Sequence, residues 1–66
     1  PALALSATEA IRLRSGQPVG LLHRQDRDRL REFTPGGMVC AMSEGKIVAL
    51  TRYEGGELVP VRVINH

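Results

Sequence analysis

The segment from Ser6 to Leu22 constrains the fold of this chain more than any other. Ser6 and Glu9 stand three residues apart, so the hydroxyl of Ser6 can accept from the N–H of Glu9 while the carboxylate of Glu9 accepts from the N–H of Ser6. This capping box fixes the start of a helix. Gly16 tolerates the left-handed backbone that often ends a helix, and Pro18 cannot continue one. The sequence therefore predicts a helix that ends just before Gly16, at a sharp turn.

The side chains of this helix divide into two faces. At about 100° per residue, one broad apolar stripe contains Ala7, Ala10, Ile11 and Leu13. Arg12 points away from the stripe, whereas Arg14 falls inside it. We expect the stem of Arg14 to pack on the protein while its guanidinium extends past the negative end of the helix.

Short apolar segments bounded by breakers make up most of the remaining sequence. They predict five strands, at residues 1–5, 19–22, 38–42, 47–50 and 58–64. The third and fourth are continuously apolar, so we expect both of their faces to be covered. Pro60 removes a ladder hydrogen bond and places the last strand at an edge or a bulge. The charged segment 23–37 is long for a connection, which is typical of a functional or mobile loop.

One short helix after the first strand, with hairpins toward the C-terminus, indicates a mainly β protein: a small, closed or half-closed mixed β pseudobarrel. The 66 residues make a single small domain. A chain of this size buries only roughly 60% of its extended surface when it folds. The chain opens at Pro1 rather than at Met. We therefore expect it to be part of a longer protein.

Charge is concentrated in the first half of the chain. Residues 10–31 hold six arginines against two aspartates, whereas the charges after residue 33 balance. Such an asymmetry points to a polyanionic partner. A solvated loop with interleaved charges explains the same pattern equally well.

The residues offer little catalytic or metal-binding chemistry. Cys40 is the single cysteine, which excludes an internal disulfide, and its apolar surroundings indicate a small buried residue of a cytosolic protein. Neither that thiol nor the two histidines form a nucleophile with its base. His23 and Asp26 are too few to hold zinc. We expect no catalytic site, metal or cofactor, and no apolar run approaches the ~20 residues that span a membrane.

Nucleic-acid binding is the chemistry that remains. Phe33 and Tyr53 are the only aromatic residues, too few for a platform that stacks single-stranded bases. Any nucleic acid would be held through its backbone and shape, by arginines and by free N–H groups at the Gly16 turn.

Several of these segments resemble the C-terminal PUA-type domain of the bacterial tRNA pseudouridine synthase B family. The most specific match is the step Leu-Arg-Ser-Gly-Gln-Pro-Val at residues 13–19, and residues 1–6, 46–50 and 58–65 agree in order. The resemblance covers nearly the whole chain apart from residues 23–37. It implies a PUA-like pseudobarrel excised from the C-terminus of a longer synthase.

The resemblance also implies a function. A PUA domain holds a structured RNA stem beside its helix and the strand that follows. Carried over by position, this surface comprises Arg12, Arg14, Ser15, Gly16, Gln17 and Pro18, with Lys46 as a further candidate. The domain is then no enzyme by itself, because the Asp nucleophile of these synthases lies in a separate catalytic domain. Its partners would be tRNA and that catalytic domain, in the cytoplasm.

A second hypothesis assigns the chain no direct contact with RNA. The edge strand near Pro60 and the shortage of aromatic residues are also typical of a protein-interaction barrel, or of a domain that mainly stabilises the fold of its parent. A free-standing enzyme is a remote third reading.

Overall fold

The computed structural model describes residues 1–65 as one curled sheet crossed by a short helix. The elements, in chain order, are β1 (Ala2–Ala4), α1 (Ala7–Arg14), β2 (Val19–Gly20), a 3₁₀ helix (Arg27–Glu32), β3 (Met38–Ser43), β4 (Lys46–Glu54) and β5 (Glu57–Val63). The strand order is β1-β3-β4-β5-β2, and the sheet forms a half-barrel. The prediction of a mainly β fold with one short helix after the first strand is confirmed.

Strand pairing explains how the sheet accommodates its proline. β1 lies parallel to β3, and the other neighbours are antiparallel. Between β4 and β5 the register shifts, since Thr51 pairs with Pro60 while Leu50 pairs with Arg62, which leaves Val61 without an opposite residue. This irregularity sits directly beside the residue that cannot donate to the ladder. The prediction that the last strand is an edge strand or is bulged at Pro60 is confirmed.

The core lies on the sheet face that α1 covers. Its buried apolar residues are Leu3, Ala10, Leu13, Val19, Leu21, Phe33, Val39, Ala41, Val48, Ala49 and Leu58. Thr51 is a fully buried polar residue among them, and its hydroxyl donates to the carbonyl of Val39 at 2.7 Å. That bond satisfies the polar side chain where water cannot reach it.

The apolar stripe of α1 is narrower than the sequence predicted. Ala10 and Leu13 are buried, but Ala7 is exposed and Ile11 is 64% exposed. A helix of eight residues meets a small curved sheet along one line, so a residue at the border of the stripe stays in solvent. The assignment of Ile11 to the buried face was wrong.

The expectation that residues 38–42 are covered on both faces was also wrong, whereas in residues 47–50 the adjacent Val48 and Ala49 are both buried, opposite a register shift. Burial alternates along β3, where Met38 is 45% exposed and Cys40 and Met42 are half-buried, while the residues between them are buried. α1 covers only one face of the sheet. Cys40 therefore lies on the other face and is not the buried core residue that its apolar neighbours suggested.

Residues 23–37 are held against the body by two apolar anchors. Leu30 packs against the core, and the buried ring of Phe33 meets the ring of Tyr53 edge to face at 5.5 Å. The N–H of Gly36 donates to the carbonyl of Tyr53 at 2.8 Å.

Among the described residues, no helix is long and apolar enough to cross a membrane.

Leu13 and Ile11 provide a matched test of this packing. Leu13→Ala should lower the free energy of unfolding by about 2–5 kcal/mol, because it empties a fully buried site. Ile11→Ala should change it by less than about 0.5 kcal/mol, because its side chain is in solvent. Urea unfolding followed by circular dichroism measures both. Equal losses for the two variants would contradict the described helix face.

Candidate nucleic-acid interface

The start of α1 is fixed by the predicted capping box. The N–H of Ser6 donates to Oε1 of Glu9 at 2.8 Å, and the N–H of Glu9 donates to Oγ of Ser6 at 3.2 Å. These two bonds satisfy donors that the helix itself leaves unpaired. The first turn of the helix is thereby set relative to β1, which ends two residues before Ser6.

The end of α1 closes in a Schellman motif centred on Gly16. The N–H of Gln17 donates to the carbonyl of Arg12 at 2.9 Å, and the N–H of Gly16 donates to that of Leu13 at 3.0 Å. Gly16 has a φ of +82°, and apart from its neighbours along the chain no residue has an atom within 4 Å of where a Cβ would stand. The corner is therefore open to an approaching ligand, as glycine permits.

The backbone N–H groups at this turn are not free, contrary to the sequence-based expectation. Besides those of Gly16 and Gln17, the N–H of Ser15 donates to the carbonyls of Ile11 and Arg12. The motif that ends the helix uses the same donors that a phosphate would need. A ligand at this corner would have to be bound by side chains.

Arg12 bridges the turn. Its Nε and Nη2 donate to the carbonyl of Pro18 at 3.2 and 3.1 Å, which leaves three of the five guanidinium donors. Arg14 and Gln17 are exposed, and no hydrogen bond or ion pair of either side chain is found within residues 1–65. The corner thus includes two exposed arginines and one exposed amide, and the side chains of Arg12 and Arg14 leave the helix in different directions because they are two positions apart.

The structure brings most of the predicted site residues together. We call this set the Gly16 corner; its members are Arg12, Arg14, Ser15, Gly16, Gln17 and Pro18. Lys46 lies elsewhere: it begins β4 and pairs with Ser43 in the β3–β4 hairpin. Because the N–H of Leu5 donates to the carbonyl of Met42, this hairpin adjoins the N-terminal end of α1, at the opposite end of the helix from Gly16.

Arg24 is the residue whose role the sequence did not indicate. Its guanidinium binds Glu9 through Nη1, both carboxylate oxygens of Asp26 at 2.7 and 3.1 Å, and the carbonyl of Ala4 at 3.0 Å. Only 20% of the side chain is exposed. The hydrogen bond with Asp26 is the largest cause that raises the pKa of Arg24, and the same bond lowers the pKa of Asp26.

Arg29 makes a second connection to β1. Its Nη2 donates to the carbonyl of Ala2 at 3.3 Å, and its Nε lies 3.5 Å from a carboxylate oxygen of Glu32. Arg24 and Arg29 thus donate to groups of the protein, whereas no such bond is found within residues 1–65 for the exposed side chains of Arg27 and Arg31. No short motif signals the contacts with Glu9, Ala4 and Ala2, since they join residues fifteen to twenty-seven positions apart.

A shallow cleft of about 380 Å³ lies beside Arg24 and is lined by Ser6, Glu9, Arg24, Gln25 and Asp26. Its one guanidinium pairs with both carboxylates, so the cleft carries a net negative charge and offers no free cation to an anionic ligand. Within the described residues, no three His, Cys, Asp or Glu side chains are grouped to hold a metal ion.

Comparison with known proteins identifies homologues along almost the entire chain. It is 46% identical over 65 residues to tRNA pseudouridine synthase B of Rhodospirillum rubrum and 44% identical over 64 residues to the protein of that name from Caulobacter vibrioides. These matches cover 98% and 96% of the chain but only 21% of each relative. No family model and no solved structure matches. The resemblance stated from the sequence is confirmed, and the short match is consistent with a C-terminal domain.

The Arg24–Asp26 pair predicts a pH-dependent contribution to stability. Since the pKa of Asp26 is lowered in the folded state, the pair stabilises the fold above the unfolded pKa, and this contribution is lost as the pH falls through the folded pKa. Asp26→Asn should therefore destabilise the protein at about pH 7, and the difference from the wild type should shrink as the pH falls through the folded pKa of Asp26. Urea unfolding across that range measures the difference. A difference in the free energy of unfolding between the wild type and Asp26→Asn that does not change with pH would contradict the ion pair.

Proposed function

We propose that this chain, a homologue of about a fifth of tRNA pseudouridine synthase B, is an RNA-binding accessory domain of such a synthase. In this proposal the parent isomerises uridine in tRNA, and the catalytic Asp belongs to a separate domain. The chain itself is not an enzyme: its task is to hold structured tRNA through backbone and shape, in the cytoplasm.

The observation that carries the proposal is the open, cationic Gly16 corner. Arg12 and Arg14 flank a glycine over which no side chain lies, so a phosphodiester backbone can approach closely. Each guanidinium keeps free donors, and the planar fork of arginine fits phosphate oxygens in pairs. The positions match those that the family resemblance implies for RNA contact.

The chemistry of the corner favours a duplex or a folded stem over single-stranded RNA. Tyr53 is half-buried and Phe33 is in the core, so neither offers a free face for base stacking. Phosphate contacts position an RNA without reading its sequence. With two to four such contacts, the isolated domain should bind tRNA weakly, with a slope of log K against log salt of about −1.5 to −3.5.

The alternative function is a protein-interaction or fold-stabilising barrel that makes no contact with RNA. It is favoured by the two bonds from Arg12 to the carbonyl of Pro18 and by the use of the turn's N–H groups within the helix cap. Both sets of hydrogen bonds can be explained by their contribution to the stability of the fold alone. Arg14 separates the two functions best, because it makes no such bonds within residues 1–65.

The decisive variant is Arg14→Ala combined with Arg12→Lys, which removes one charge and the second guanidinium fork. We expect tRNA affinity to fall by about tenfold or more and the salt slope to become shallower by about 1. Filter binding at several salt concentrations measures both quantities, and thermal unfolding verifies that the variant is folded.

The matched control is Arg62→Ala, which removes one exposed charge from β5, away from the corner. It should leave the affinity within about twofold of the wild type, since non-specific charge effects are screened beyond about 10 Å. Equal losses in the control and the corner variant, or no loss in either, would reject the Gly16 corner as the contact and favour the alternative function.

A further inference from the structure

The sheet has a second face that α1 does not cover, and its centre is apolar. We call it the outer face; its apolar residues on β1, β3 and β4 include Ala2, Ala4, Met38, Cys40, Met42 and Leu50, and the exposed Arg52 stands at their border, opposite Met38. Their burial is intermediate or exposed, whereas their neighbours along each strand are buried. None of the six carries a charge.

The strand register makes these side chains one continuous patch. Cys40 stands opposite Ala2 on one side and Leu50 on the other, and Met42 stands opposite Ala4. Side chains paired in this way have Cβ atoms about 4.5–5.5 Å apart. The patch therefore spans three adjacent strands without a polar interruption, with Cys40 at its centre.

Such a patch is unusual for a sheet face that meets water. A one-sided sheet normally carries polar residues on its solvated face, and a contiguous apolar area marks an interaction site. Arg52 and Arg62 are exposed and stand opposite Met38 and Leu50. An apolar centre that includes adaptable methionines and is bordered by arginines has the composition of a protein interface.

We infer that the outer face is the surface on which the larger part of the synthase docks. The inference rests on the proposed place of this chain in such a synthase, but not on its contact with RNA. The relatives supply the occupant, because 79% of each lies outside the segment that matches this chain. A polyanion is disfavoured, since the centre of the face has no cation to bind it.

Cys40 provides a probe at the centre of the face, because it is the single cysteine of the 66-residue chain; any cysteine that the full-length protein has outside this segment is first replaced by Ser. The rate at which Ellman's reagent modifies Cys40 should be about tenfold or more lower in the full-length native protein than in the 66-residue chain, since docking removes access to the thiol. Equal rates for this thiol would overturn the inference. Slow modification of the isolated chain, together with a dimer mass in sedimentation, would also overturn it by assigning the face to a second copy.

A charged substitution extends the test. In the full-length protein, Leu50→Glu should restore rapid modification of Cys40, because it buries a charge in the docked face. Ile11→Glu is the matched control: it introduces the same charge at an exposed apolar residue on the helix side of the sheet, and Cys40 should stay protected. If Leu50→Glu lowers helix and strand content, Met42→Glu serves instead. Protection that persists in the folded variant would overturn the inference.

These results are independent of those for RNA. In the isolated chain, Leu50→Glu should leave tRNA affinity within about twofold of the wild type, because the outer face and the Gly16 corner lie on different sides of the sheet. Failure of RNA binding with Cys40 protected would reject the proposed RNA contact and retain the docking face. Normal tRNA binding with an unprotected Cys40 would retain the proposed RNA contact and reject the docking face.

Discussion

The Arg24 guanidinium joins three parts of the chain that the sheet alone leaves apart. It binds Glu9 in the first turn of the helix, Asp26 in the following loop and the carbonyl of Ala4 at the edge of β1. β1 has only three residues and pairs on one side, with β3. Arg24 and Arg29 donate to two of its carbonyls, so side chains from the loop satisfy acceptors that a sixth strand would otherwise take. The side chains of Arg24 and Arg29 therefore cover this free edge of the half-barrel.

This use of arginine changes how the charge of the sequence is interpreted. The first half of the chain is basic, which suggested a surface for a polyanion. Three of its six arginines, Arg12, Arg24 and Arg29, donate to groups within the fold, and Arg24 is offset by two carboxylates. Local sequence could not reveal this, because the partners Ala4 and Glu9 precede Arg24 by fifteen positions or more. Composition alone therefore overstates the charge that an external ligand meets.

The helix boundaries could be predicted because their signals are local. The ends of α1 are determined by Ser6, Glu9 and Gly16 through hydrogen bonds that span three to five residues. The register shift between β4 and β5 is likewise marked by a local signal, Pro60. Burial was less predictable, since it depends on which face of the sheet α1 covers. An apolar run such as residues 38–42 is compatible with cover on one face or two, and only the position of the helix decides between them.

The same geometry explains why one small domain has room for two kinds of contact. α1 fills one side of the sheet with core and carries the Gly16 corner at its C-terminal end, so charged side chains collect there. α1 does not cover the opposite side, and the outward residues Met38, Cys40 and Met42 of β3 stay apolar although they face away from the core. The glycine turn ends the helix whichever function holds, but a domain that serves only stability would not need an apolar centre on its outer face. The two proposed partners, a polyanion and a protein surface, would account for the exposed arginines near the end of α1 and for the apolar centre of the outer face, because each requires a surface chemistry that the other excludes.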